Sequence, residues 1–369
     1  MKRIAYLCLS SGWGGLEMNQ LRNAQEMQKR GHEVLLIANS DSPIAKAASQ
    51  ANMPLYYIVK QKPKHYQWWF ARQLARQLKK QGFCDLFFRN NRELSIAASV
   101  HFFSRGKIGV HYFMEMALGG NKTQFFRTLR YQLIDTWVCP LPYLVAQVQH
   151  QTNINKNKIK FIHSGISFEN QYELTHSTAR KQLGWPTDQK ILLVVGRIDP
   201  KKQQAFIWES FQKRPSPNEL LIFVGDPTPD EHNDYHQQLA QSIEGHPKNN
   251  QVLWAGFQND MALFYRAADL VIMAADHETV GMATIEALKF ACPVVGANNG
   301  GTKELIETYG GGLCFRSLDQ NELNLRIDMA LNGQTPSLKS ALFEQHFDFK
   351  RVCALVETEV LGLEAPIFQ

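Results

Sequence analysis

The stretch Asp276-His277-Glu278-Thr279-Val280-Gly281-Met282-Ala283-Thr284-Ile285-Glu286-Ala287-Leu288 decides how this chain is read. The apolar run before it, Leu270-Val271-Ile272-Met273-Ala274, predicts a buried strand. Gly281 marks a turn, and Ala283, Ile285, Ala287 and Leu288 predict a helix after it. Glu278 therefore stands in the loop at the strand's C-terminal end, and Glu286 stands eight positions on, inside the helix. A helix start leaves backbone N–H groups without intrahelical acceptors, here those of Val280, Gly281 and Met282, and the helix dipole adds a positive end. That combination favours an anion. A carboxylate beside an anion has a use if it grips hydroxyls, as acidic residues do on ribose in dinucleotide folds. Phosphate and sugar hydroxyls together describe a nucleotide sugar. The same spacing also fits an ordinary strand–turn–helix with two surface acids.

The 369 residues suit two α/β domains of comparable size. Hydrophobic content of 44% and charged content of 20% are those of a soluble globular protein. No uncharged apolar run approaches the ~18–20 residues of a membrane helix. The run Ile4-Ala5-Tyr6-Leu7-Cys8-Leu9 after Lys2-Arg3 is short for a signal peptide and reads as a first strand. The six cysteines are scattered without a CxxC pair, which predicts buried thiols in a reducing cytoplasm and neither a disulfide framework nor a zinc site. Charge is unevenly distributed. Residues 1–168 hold 23 Lys+Arg against 8 Asp+Glu, or +15, and residues 169–369 hold 17 against 26, or −9, which sum to the net +6. A basic first half facing anionic lipid, a phosphorylated acceptor or nucleic acid fits this, as does a solvated basic surface.

Along the first half, a strand over 4–9 leads into the glycine-rich turn Ser10-Ser11-Gly12-Trp13-Gly14-Gly15-Leu16-Glu17, a helix over 18–29 and a strand over 33–38. Glycines in the first turn of such a βαβ unit let backbone approach a phosphate, though they also serve tight packing, and this is not the GxGxxG pattern. A strand is predicted over 54–59 and a helix over 71–81. Running into the latter, Tyr66, Trp69, Phe70, Leu74 and Leu78 recur at helical spacing with Arg72, Arg76, Lys79 and Lys80 beside them. This pattern fits a core-facing helix, and it fits a basic–aromatic helix lying on an anionic membrane. Further strands are predicted over 85–88 and 107–110, the second ending at His111, which reads either as a buried structural histidine or as a site residue.

The second half opens on the apolar run 191–195, followed by Gly196-Arg197-Ile198-Asp199-Pro200-Lys201-Lys202 and a helix from about 203. Arg197 and Lys202, five apart across a strand–turn–helix, can converge on one pyrophosphate, with planar donors from one and a mobile point charge from the other. Strands over 220–224, 252–257 and 293–296 follow, with Phe257 a possible nucleobase contact or a core residue. Residues 343–361 have the length of a helix pair.

Four motifs in order resemble the retaining glycosyltransferases of the GT-B fold, family four (group 1), over nearly the whole chain. They are Gly14-Gly15-Leu16-Glu17, His111 after its strand, Gly196-Arg197 with Lys202, and Glu278 with Glu286. His163-Ser164-Gly165-Ile166 resembles the linker between the two domains, while Lys303 stands where the family commonly has Pro. The resemblance implies an α/β GT-B architecture: two Rossmann-like domains facing a central cleft, an acceptor-side domain over 1–165, a donor-binding domain over 166–345, and a C-terminal helix over 346–369 returning to the first. It implies that Gly14, Gly15, Phe257, Glu278, Val280, Gly281, Met282 and Glu286 line the donor site with Arg197 and Lys202, and that His111 approaches the transferred sugar. No D-x-D pair is present, so the leaving diphosphate is expected to be stabilised by Arg197, Lys202 and the helix-start amides without a metal or other cofactor. The implied activity is retaining transfer of a hexose, a UDP-sugar being the favoured donor, to a glycan or lipid-linked acceptor in polysaccharide or lipopolysaccharide assembly. A cytoplasmic enzyme is expected, with peripheral contact to the inner membrane face through the basic half. The alternatives are a GT-B nucleotide-sugar epimerase, which would share the cleft but need additional acid–base carboxylates, and a catalytically inactive sugar- or nucleotide-binding protein. Nucleic acid is not expected as a partner, since no recognition motif accompanies the basic half.

Overall fold

The structure, a computed structural model, describes residues 1–58, 67–168, 174–227 and 233–364. Continuous apolar runs become strands of two fully parallel sheets, as expected where helices cover both faces. In the first half the elements are β1 (Arg3–Cys8), α1 (Gly15–Lys29), β2 (Glu33–Asn39), α2 (Pro43–Gln50), β3 (Leu55–Ile58), α3 (Trp68–Lys80), β4 (Asp85–Phe88), α4 (Leu94–Ser104), β5 (Gly109–Phe113), α5 (Phe125–Gln132), β6 (Thr136–Cys139), α6 (Pro142–Gln151) and β7 (Ile159–Phe161). The second half runs α7 (His176–Leu183), β8 (Lys190–Val195), α8 (Gln204–Gln212), β9 (Glu219–Val224), α9 (Asn233–Glu244), β10 (Val252–Gly256), α10 (Met261–Ala267), β11 (Leu270–Met273) and α11 (Met282–Lys289). It continues through β12 (Val294–Ala297), α12 (Gly300–Tyr309), β13 (Gly312–Phe315), α13 (Gln320–Leu331) and α14 (Ser340–Phe347), and α15 (Phe349–Glu359) closes the chain's described elements.

Two compact units divide the chain: Met1–Gly165 with Phe347–Gln369, and Ile166–His346. The first sheet has the order β3-β2-β1-β4-β5-β6-β7 and the second β10-β9-β8-β11-β12-β13. Both are doubly wound, with the winding direction reversing between β1 and β4 in one and between β8 and β11 in the other. Each unit has its own core. In the first, Ile4, Tyr6, Leu36 and Phe87 pack with Val352, Cys353 and Val356 of α15, and in the second Leu192, Phe223, Ile272 and Val295 pack with Trp208 and Ile327. α15 is fastened to the end of α1 by Glu357, which accepts from Arg30 and lies 2.8 Å from His32 Nε2. Among the described residues no helix is long and apolar enough to cross a membrane.

The strand expected over 54–59 is Leu55–Ile58, and Val59 lies outside the described residues, as does Tyr66 of the basic–aromatic pattern. The helix expected over 71–81 begins earlier, at Trp68. The strand placed over 107–110 is Gly109–Phe113, so His111 does not follow it but sits in its middle. The apolar residues of 107–110 end before the strand does, because Tyr112 and Phe113 continue the same buried run.

Candidate functional site

Every strand of a parallel sheet ends at the same edge, so loops far apart in sequence meet there. In the second unit Arg197 follows β8, Asp226 follows β9, Phe257 follows β10 and Glu278 stands in the loop after β11. Loops after β8 and β11 flank the reversal of the winding, which is where doubly wound sheets hold ligands. At that point Lys202 Nζ donates to Glu278 Oε2 at 2.6 Å, with both side chains partly exposed. The two loops are further tied by Gln203 Nε2 donating to Asp276 Oδ2 at 2.7 Å and by the Asp276 N–H donating to the Lys201 carbonyl. Asp199 accepts from the Lys201 N–H and so fixes the short 3₁₀ turn Pro200–Lys202 that presents the lysine. Arg197 is exposed, and its carbonyl is held by Gln204 Nε2 at 2.8 Å.

Gly281 begins α11 in the left-handed region, φ +78°, which lets the chain leave the β11 loop and enter the helix in one residue. Val280 is buried beneath it, and Met282 is the first helical residue. Glu286 lies one turn further on and accepts from the Tyr265 hydroxyl at 3.0 Å. Burial, and then the neighbouring Glu286 carboxylate, push the Tyr265 phenol well above its ordinary range, so it stays a donor and orients that carboxylate. Phe257 is exposed at the same edge, two strands from β8.

Sequence reading assigned no role to Gly300 and Gly301, although the glycine pair after a strand is a visible signal. The Gly301 N–H donates to the Glu278 carbonyl at 2.7 Å. Gly300 has φ +54°, and a Cβ there would stand 2.2 Å from that same carbonyl oxygen, while one on Gly301 would stand 2.6 Å from the Val280 carbonyl. The start of α12 thus clamps residues 278–280 by direct backbone approach. Tyr265 gave no sequence signal at all.

In the first unit, Gly14 and Gly15 open α1 directly after the β1 loop, beside the β1/β4 reversal. Neither has positive φ, and a Cβ on Gly15 would meet nothing within 4 Å. Packing inside this unit therefore does not require a glycine at 15, and the space over the loop is left open. Glu17 is buried in the first turn. Glu93, fully buried where β4 gives way to α4, accepts from the Leu9 N–H at 2.5 Å and thereby fixes the loop's beginning. Burial pushes its carboxyl up to about 8; the Leu9 N–H opposes that rise and Glu17 adds to it.

His111 does not reach this edge. Its ring is 4% exposed, lies 3.1 Å from Asp85 Oδ1 at the beginning of β4, and packs edge-on against Phe87. Asp85 pairs with Gly109 in the sheet, so the ring leans back toward the strands' N-terminal ends. Asp85 thus holds Nε2 inside the sheet, while Nδ1 is buried without a hydrogen-bond partner among the described residues. The polar groups that do stand at the strand ends are Glu115, Arg89 and Asn19, which sequence reading missed. Arg89 donates to Glu115, and Asn19 Nδ2 lies 3.3 Å from the same carboxylate. Burial raises the Glu115 carboxyl, with Arg89 offsetting part of the rise.

Two doubly wound units, the second with Lys202 and Glu278 in contact at its switch point, define a two-domain class of α/β proteins. Residues 13–170 match Glycosyltransferase Family 4 and residues 176–343 match Glycosyl transferases group 1, and the chain belongs to this glycosyltransferase family, with the GT-B fold. It is 30% identical over 199 residues to the D-inositol 3-phosphate glycosyltransferase of Mycolicibacterium smegmatis, covering 53% of this chain and 45% of that protein. The chain spans less than half the length of such curated relatives. Among solved structures, Anabaena HepE in complex with UDP and glucose superposes with a TM-score of 0.81 at 20% identity, over 98% of this chain and 100% of that one. A glycosyltransferase from Rickettsia africae gives 0.83 at 16% identity, over 98% of each chain.

Proposed function

We propose that this chain transfers a sugar, a hexose from a UDP-sugar being favoured, to a glycan or lipid-linked acceptor, with retention of anomeric configuration and without a metal. The observation that carries the reading is the Lys202–Glu278 contact at the β8/β11 switch point, beside the start of α11. A cation already paired with a carboxylate can exchange partners. When a diphosphate arrives, Lys202 turns to it together with Arg197, and Glu278 is released to accept from sugar hydroxyls. Cleavage of the sugar–phosphate bond leaves its electron pair on the diphosphate. The two cations and the amides of Gly281 and Met282 stabilise that charge where it develops. Glu286, whose carboxylate accepts from Tyr265, takes the ribose hydroxyls in this reading. HepE, with the same fold, is described with UDP and glucose, which agrees with a UDP-sugar here. The proposed setting is polysaccharide or lipopolysaccharide assembly at the cytoplasmic face of a membrane, met through the basic first unit.

Thermal shift and turnover of the purified chain against UDP-, GDP- and ADP-sugars, without added metal, test this. One nucleotide should stabilise the protein and be released slowly as its diphosphate. Arg197→Ala should lose that shift, and Glu278→Gln should keep it while losing turnover by roughly 100-fold or more. A folded protein that responds to no nucleotide would refute the donor site.

A further inference from the structure

Burying large aromatic side chains is among the strongest stabilising terms in a fold, so leaving them in water calls for a partner. In the first unit Trp68 and Trp69, the first two residues of α3, are 63% and 83% exposed, and Phe125 and Phe126, the first two of α5, are 75% and 76% exposed. These pairs are not scattered. α3 packs along α4, and Arg130 Nη1 of α5 donates to Ser95 Oγ in the first turn of α4 at 2.6 Å. Each of the three helices joins two consecutive parallel strands, so all three run opposite to the strands and start at the sheet's C-terminal edge. The two aromatic pairs therefore flank the start of α4 at one edge, on neighbouring helices spaced by about 10 Å each.

The charge on the same face has one sign. The buried stripe of α3 is Ala71, Leu74, Ala75 and Leu78, which leaves Arg72, Arg76, Lys79 and Lys80 exposed. No acidic residue occurs in α3, α4 or α5. Two such faces repel one another, which argues against a second copy of the chain as the occupant. Aromatic side chains projecting beside clustered cations match the interfacial layer of a bilayer, where rings sit among headgroups and cations meet anionic lipid.

We propose that α3, α4 and α5 form a docking face for an anionic phospholipid surface, with Trp68, Trp69, Phe125 and Phe126 inserting and the α3 cations resting on headgroups. The proposal rests on the function above in one respect. The edge that docks is the edge bearing the Gly14-Gly15 loop, so a lipid-linked acceptor in that membrane is delivered to the first unit's open loop.

Cosedimentation with vesicles decides it, using phosphatidylcholine alone and phosphatidylcholine with about 30% phosphatidylglycerol at roughly 0.1 M salt. The natural chain should bind the anionic vesicles and not the neutral ones. The variant Trp68→Ala/Trp69→Ala/Phe125→Ala/Phe126→Ala should bind at least about tenfold more weakly with its melting temperature kept, since all four side chains are exposed. Arg72→Gln/Arg76→Gln should weaken binding in the same direction. Absence of binding to anionic vesicles, or undiminished binding by the fourfold variant, overturns the proposal. So does tighter retention of single-stranded RNA than of vesicles, or self-association that the fourfold variant abolishes. The UDP thermal shift separates the two readings: lost vesicle binding with a retained shift removes the membrane face alone, and a lost shift with retained vesicle binding removes the donor site alone.

Discussion

Replacing Glu93 with Gln tests whether a buried, uncharged carboxyl holds the loop that leads to Gly14 and Gly15. Glu93 is fully buried, one oxygen accepts from the Leu9 N–H, and the other has no partner among the described residues. Its carboxyl moves from an ordinary 4.5 to about 8 on folding. An acid with a raised value binds its proton more tightly when folded, so its contribution is complete below pH 4.5 and is lost as the pH rises toward 8. Each unit of pH between those limits removes about 1.4 kcal/mol, so roughly 3 kcal/mol is gone at pH 7 and about 5 kcal/mol above pH 8. Gln keeps the acceptor for Leu9 and cannot ionise. Glu93→Gln should match the natural chain near pH 5 and exceed it at pH 7 by about 3 kcal/mol, or about 6–12 °C in the melting of a unit this size. Thermal unfolding followed by circular dichroism at pH 5, 7 and 8.5 measures it. Parallel stability curves for the two proteins would show that Glu93 is already ionised in the folded chain, and the reasoning would be wrong.

Gly300→Ala places a Cβ 2.2 Å from the Glu278 carbonyl oxygen at a residue with φ +54°, and should cost more than about 3 kcal/mol and abolish the nucleotide-induced shift. A stable variant with a full shift would mean that residues 278–280 are not clamped by α12. His111→Asn should lower stability by about 1–3 kcal/mol, since Asp85 loses its buried partner, and should leave the nucleotide shift intact. Unchanged melting together with lost turnover would instead place His111 in the chemistry.

Much of the fold is written locally. The runs at 33–38, 191–195 and 220–224 are too continuously apolar for a half-exposed strand, and strands alternating with helices leave a parallel sheet as the economical outcome. The donor-side candidates were legible for the same reason: Arg197, Lys202, Glu278 and Glu286 each sit just past a strand or in the helix after it, where chain punctuation reveals position. Burial direction was not legible. His111 follows an apolar stretch as a ligand residue would, but only the register of β4 against β5 aims its ring at Asp85. The pattern of α3 favoured a core helix over a membrane helix, and packing divided it, burying Leu74 and Leu78 while leaving Trp68 and Trp69 in solvent. By itself, then, the sequence determined which segments are strands and helices, and which charged residues end them. Tertiary structure alone decided that Lys202 meets Glu278 across 76 residues, that Tyr265 holds Glu286, and that Gly300 presses on the Glu278 carbonyl. Sequence periodicity reports neighbours within a few residues, whereas a parallel sheet joins loops separated by whole crossovers, so those contacts exist only once the strand order is set.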